Sequence, residues 1–180
     1  MSLEDTTTPM DSQYPIGRFE RPAAITPDDR RRWIADIEAL PEQLAVQLAR
    51  IGAPGLETPY RPGGWTGRLV VHHLADSHMN CFIRFRLGLT ETKPVVKTYE
   101  EAAWALLADS QTLPVAPSLA ILDGVHERWT VMLRSMGDAE FARSFVHPDL
   151  GELPLDVALA LYSWHGRHHL AHLALIPSAV

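Results

Sequence analysis

Prolines and glycines cut this chain into long helix-compatible stretches, and that punctuation limits the folds open to it more than any other feature. Thr26-Pro27-Asp28-Asp29 supplies an N-cap, a proline whose fixed φ suits a first helical turn, and acids that favour the positive end of a helix dipole. The helix opened there is predicted to reach about Ile51, kinked at Pro41 and closed by Gly52. Pro54 to Gly64 contains three prolines and three glycines and reads as a loop. Thr66 caps a second helix reaching about Thr90. Pro114 and Pro117 announce a third from Ser118 to about Met136, and a fourth runs from about Leu155 to Leu175 before Pro177. A short helical piece is expected over Tyr99 to Ala108 and a turn over His147 to Pro154. With no alternating strand pattern, the predicted class is all-α, a four-helix bundle.

Residues 1–25 carry Pro9, Pro15 and Pro22 among polar residues and show no helical period. They read as a tail followed by an extended arm, Tyr14 to Pro22, able to lie on the bundle or on a partner subunit, with residues 26–180 as one bundle domain. The 180 residues are 46% hydrophobic and 21% charged, which suffices for a buried core. The net charge is −6 and no basic run exceeds Arg30-Arg31-Arg32, which argues against a nucleic-acid partner. Cys81, the lone cysteine, permits no internal disulfide or cysteine-based zinc cluster and fits the cytoplasm. No run is apolar enough for a membrane span, and residues 1–13 lack the pattern of a signal peptide.

Seven of the nine histidines fall in two windows: His72, His73 and His78, then His165, His168, His169 and His172. Neutral imidazole is a strong nitrogen ligand for zinc, nickel, copper and iron, and residues four apart on a helix face a common point. At about 100° per residue, Ala158, Leu161, Tyr162, Leu173 and Ile176 cluster between the directions of His165 and His169. His168 points to the edge of that stripe, and His172, intermediate in direction, reads as a donor behind a ligand, a packed core residue or a further ligand. On the second helix His73 lies at the margin of the face formed by Val70, Leu74, Cys81, Phe85 and Leu89. His72 points outward, toward solvent or an interface, and His78 reads as packing. His73, His165 and His169 are therefore the predicted ligands of one divalent metal.

Ser77, Asn80 and Arg84 share the stripe of His73. Arg84 is a candidate contact for an anionic substrate group, or else pairs with Glu91, Glu100 or Glu101. Asp76 and Asp156 are candidate acceptors for ligand N–H groups. Cys81, on the apolar face, reads as an inert buried thiol. Trp65, Trp104 and Trp164 read as core, with Trp164 worth testing beside a ligand.

Tyr60-Arg61-Pro62-Gly63-Gly64-Trp65-Thr66, then Val71-His72-His73-Leu74-Ala75-Asp76-Ser77-His78-Met79-Asn80, then Leu161-Tyr162-Ser163-Trp164-His165-Gly166-Arg167-His168-His169-Leu170-Ala171-His172 together resemble the YfiT branch of the DinB-like superfamily. The resemblance extends to Tyr14-Pro15-Ile16-Gly17-Arg18-Phe19 and His147-Pro148-Asp149-Leu150-Gly151. It implies a four-helix bundle, a homodimer, and three histidine ligands that fall by motif on His73, His165 and His169. It also implies one of two activities: metal-dependent hydrolysis, or S-transfer from a low-molecular-weight thiol such as bacillithiol to an electrophile.

Three imidazoles leave a zinc or nickel ion open positions, which suits catalysis better than a closed structural site. The ion would lower the pKa of a bound thiol or water. No acid stands at a fixed spacing to the histidines as in His-Glu-x-x-His enzymes, which favours thiol transfer over hydrolysis. A metal-binding stress protein without turnover is the third expectation.

Overall fold

The computed structural model describes residues 11–179. Its elements are α1 (Pro27–Leu56), α2 (Gly67–Thr90), α3 (Glu101–Trp104), α4 (Ala108–Thr112), α5 (Ala116–Arg134), α6 (Asp138–Phe141), β1 (Ser144–His147), β2 (Gly151–Pro154) and α7 (Leu155–Leu175). The expected all-α four-helix bundle is present, with α1, α2, α5 and α7 as its long members.

Local chemistry sets the helix ends. The Thr26 hydroxyl accepts from the Asp29 N–H while the Asp29 carboxylate accepts from the Thr26 N–H, so two otherwise orphaned donors of α1 are satisfied reciprocally. Inside α1 only Gly52 leaves helical dihedrals, at φ 60°, ψ −172°. Glycine takes that left-handed φ without a Cβ penalty, so the regular helix ends at Ile51 and a last turn to Leu56 follows. Pro41 stays within the helical run rather than breaking it. That last turn crosses the start of α2 closely: a Cβ on Gly67 would lie 2.7 Å from the Gly55 carbonyl oxygen.

The region expected as a turn over His147 to Pro154 is instead half of an antiparallel hairpin, β1 with β2, registered Phe145↔Leu153 and His147↔Gly151. Phe145 and Leu153 are both buried, so this cross-strand pair drives the hairpin onto the bundle. The Val96 N–H donates to the Val146 carbonyl and the Val146 N–H to the Pro94 carbonyl, holding the long connection beside β1. The single helical piece expected over Tyr99 to Ala108 is split into α3 and α4.

α1 packs chiefly on α7 and α5, and α2 on α5 and α7. Two apolar clusters result. One contains Ile37, Phe85, Trp129, Phe145 and Leu159; the other contains Leu40, Leu44, Leu74, Leu122 and Leu173. Between them on α2 stands His78, on α5 His126, and on α7 the run from His165 to His169. A layer of imidazoles thus separates two halves of the core. No helix among the described residues is long and apolar enough to cross a membrane.

Candidate metal centre

His73 projects from α2 and His165 and His169 from one face of α7. One nitrogen from each lies within 4.8 Å of the others, and the Nε2 atoms of His73 and His165 are 3.2 Å apart. Nitrogen ligands about 2.0–2.1 Å from a tetrahedral zinc stand roughly 3.3 Å from one another, so the His73–His165 pair has ligand spacing and the nitrogen of His169 is near enough to complete a group able to hold one divalent ion. Protonation does not oppose this. Burial, reinforced by the charges of His168 and His172, pushes His73 down to about 4. Burial likewise holds His165 and His169 well below the ordinary imidazole range, leaving lone pairs available at neutral pH.

The side of α7 turned away from the ligands is braced against α1. Ser163 donates to the Asp36 carboxylate at 2.5 Å, and Arg167 pairs with the same carboxylate at 3.3 Å. The N-terminal arm closes the other side: Trp164 donates to the Gly17 carbonyl, Tyr14 stacks on His168, and the Gln13 carbonyl meets His172 Nε2 at 3.2 Å. The arm therefore lies on the bundle, over the histidines. Of the tail expected before it, residues 1–10 lie outside the described residues.

Several sequence expectations change here. His72 is buried rather than outward-facing, because the Ser118 hydroxyl on α5 takes its Nδ1 at 2.7 Å. His78 is more than packing: its Nε2 lies 3.2 Å from His165 Nδ1 and its Nδ1 lies 3.0 Å from His126 Nε2. His126 escaped the sequence reading, although Leu122, His126, Trp129 and Leu133 form a helical stripe that marks it as inward-facing. His172 stands behind His169, with the two Nδ1 atoms 3.2 Å apart. Among the described residues neither Asp76 nor Asp156 bonds a ring nitrogen; Asp156 accepts from Arg30, and burial with the charge of Asp109 raises Asp76 to about 6. Cys81 is buried, which pushes its thiol up and leaves it inert.

A cavity of about 310 Å³ opens at the three imidazoles, walled by Tyr60, Arg61, Trp65, Trp164 and Glu101 among others. Trp65 tilts against His73 with ring centres 4.8 Å apart, so it and Trp164 belong to the site wall as well as to the packing. Glu101 reaches solvent, yet its carboxyl is partly desolvated and raised above the usual range against the pull of Arg84. Sequence spacing could not find it, because it comes from α3 in the long connection. Arg84 donates to the Lys97 carbonyl at 3.0 Å and lines a smaller neighbouring cavity with Ser77, Tyr99, Glu101 and Tyr162.

Residues 43–173 match the DinB superfamily. A Bacillus mycoides protein named "Putative metal-dependent hydrolase" is 49% identical over 163 residues, covering 91% of this chain and 94% of its own. Among solved structures, YfiT from Bacillus subtilis, described as a probable metal-dependent hydrolase with an unusual four-helix bundle topology, is 46% identical with a TM-score of 0.87. That match covers 91% of this chain and 94% of YfiT. A mycothiol-dependent maleylpyruvate isomerase shares the fold alone, at 14% identity and a TM-score of 0.63 over 84% of this chain and 62% of its own. Three imidazoles on α2 and α7, in a bundle that overlays YfiT along most of its length, place the chain in the DinB superfamily, on its YfiT branch of metal-dependent enzymes.

Proposed function

We propose that this protein transfers a low-molecular-weight thiol to an electrophile, with one zinc or nickel ion held by His73, His165 and His169. A divalent ion there supplies an electrostatic field that lowers the pKa of a thiol or water taking an open position beside it. The observation that carries the thiol reading is the character of the cavity wall. Arg61 and the aromatic rings of Tyr60, Trp65 and Trp164 surround the imidazoles, and Glu101, at the rim, is the one acid in the lining among the described residues. A thiol activated at the ion needs no protein base, whereas its charged carrier needs a cation and flat surfaces to lie on, which Arg61 and the aromatic rings offer. Arg61 would receive a carboxylate of that carrier. Arg84, in the neighbouring cavity that shares Glu101 with this one, stays in the proposal as a contact for an anionic substrate group, here that of the second substrate.

Hydrolysis is the second reading, and Glu101 favours it. A raised carboxyl sharing the cavity with three imidazoles is able to take a proton from an attacking water. The names of the relatives point the same way. Incubating the metal-loaded protein with a panel of thiols and a model electrophile, beside esters and amides, separates the readings. Thiol-dependent turnover lost in His165→Ala supports transfer. Turnover without thiol moves the conclusion to hydrolysis, and silence on both panels moves it to a metal-binding protein without turnover.

The cytoplasm is the proposed setting, on the strength of the lone buried Cys81. A homodimer is proposed from the family resemblance.

A further inference from the structure

Two chains of imidazoles lead away from the candidate ligands, and each ends on a backbone carbonyl. The first runs from His165 Nδ1 to His78 Nε2 at 3.2 Å, from His78 Nδ1 to His126 Nε2 at 3.0 Å, and from His126 Nδ1 to the Ile37 carbonyl at 2.5 Å. The second runs from His169 Nδ1 to His172 Nδ1 at 3.2 Å and from His172 Nε2 to the Gln13 carbonyl at 3.2 Å.

A carbonyl oxygen only accepts, so each terminus fixes the direction of its whole chain. His126 must carry its proton on Nδ1 to donate to Ile37. As a neutral ring, it then has a bare Nε2, which accepts from His78 Nδ1–H. His78 Nε2 is bare in turn and accepts from His165 Nδ1–H, which leaves the lone pair of His165 on Nε2, the atom facing His73. By the same logic His172 carries its proton on Nε2, accepts on Nδ1 from His169, and leaves His169 with its lone pair on Nε2. The side chains of His78, His126, His169 and His172 are all buried, an environment that disfavours a charged ring.

The Ile37 carbonyl is free for this role because of Pro41. In an α-helix that carbonyl would accept from the N–H of residue 41, and proline has none. The mid-helix proline of α1 thus leaves an acceptor turned toward α5, and His126 takes it.

We propose that these two relays, His165–His78–His126–Ile37 and His169–His172–Gln13, are positioning devices that lock both α7 ligands in the tautomer that presents Nε2 to the metal. This rests on the reading of His73, His165 and His169 as a metal site. His78 and His126 stand outside the cavity lining and act through His165; His172 borders the cavity and acts on the ion through His169.

NMR of histidine-labelled, metal-free protein reports which ring nitrogen carries the proton, without reference to activity. The proton is expected on Nδ1 of both His165 and His169. In His78→Leu the preference is lost at His165 and kept at His169, and in His172→Leu the reverse holds. Affinity for zinc or nickel, measured against a chelator, falls about 10- to 100-fold in each leucine variant. His78→Gln keeps wild-type affinity, because its amide accepts from His165 and donates to His126 as the imidazole does. A proton on Nε2 of either ligand in the wild type overturns the proposal. So does wild-type metal affinity in both leucine variants once circular dichroism shows them folded. If a leucine variant does not fold, the wild-type tautomers and His78→Gln decide. Failure of the wild type to bind metal overturns the metal-site reading, while the tautomers still judge the relays.

Discussion

The Nδ1 of His126 on α5 lies 2.5 Å from the carbonyl of Ile37 on α1, an acceptor that Pro41 leaves without its helical partner. This contact orients the imidazoles leading to His165 on α7. A mid-helix proline in α1 and a candidate ligand on α7 are therefore parts of one arrangement.

Acid should unfold the metal-free protein early. These imidazoles titrate near 6.5 in an unfolded chain, whereas burial holds His73 and His168 near about 4 in the fold. Between those values the unfolded state binds more protons, so the contribution to stability is complete above 6.5 and is lost as pH falls toward 4. The melting temperature of metal-free protein, followed from neutral pH downward, is expected to fall across this window. A flat profile there would contradict the burial of neutral imidazoles.

The close crossing of α1 and α2 makes Gly67 intolerant of even one methyl group. With a backbone oxygen 2.7 Å from the added Cβ, Gly67→Ala must displace one helix, and the expected loss in urea unfolding is about 1–3 kcal/mol. Wild-type stability in this variant would show that the helices separate freely.

Phe145 anchors the hairpin by entering the core beside Leu153. Phe145→Ala should cost about 3–5 kcal/mol. Because β2 leads directly into α7, a loss below about 1 kcal/mol would mean that the hairpin packs independently of the bundle.

Arg61 and Arg84 are separable by kinetics. Arg61→Met is expected to raise KM for the thiol about 10-fold or more with kcat kept, the size of a lost charged hydrogen bond of about 1.5–3 kcal/mol. Arg84→Met is expected to raise KM for an acidic electrophile and to leave that for the thiol unchanged. If Arg84→Met lowers stability with both KM values intact, its role is to hold the Lys97 carbonyl.

The long helices were legible because their signals are local and repeated. Thr26, Gly52 and Thr66 act on their own backbones, and each stands where a helix begins or ends. The hairpin was not legible, since four-residue strands give too short an alternation and their stability comes from Phe145 and Leu153 meeting across a turn. Helix directions brought His73, His165 and His169 to one point, because one face of α7 and one margin of α2 suffice for that. The same directions misplaced His72, whose partner Ser118 lies on another helix. They also gave His78 no role, because its role depends on His126 and on a carbonyl released by Pro41, three elements no local pattern connects. Glu101 was named only as a possible partner of Arg84, and its place beside the imidazoles was hidden for a like reason: α3 reaches the cavity only through the fold.

Metal binding at equilibrium tests the central claim most directly. Metal-free protein titrated with zinc or nickel in competition with a chelator should take up one ion per chain. His73→Ala, His165→Ala and His169→Ala, each folded by circular dichroism, should each lose the ability to compete. Uptake of the same ion with unchanged affinity in all three variants would contradict the account.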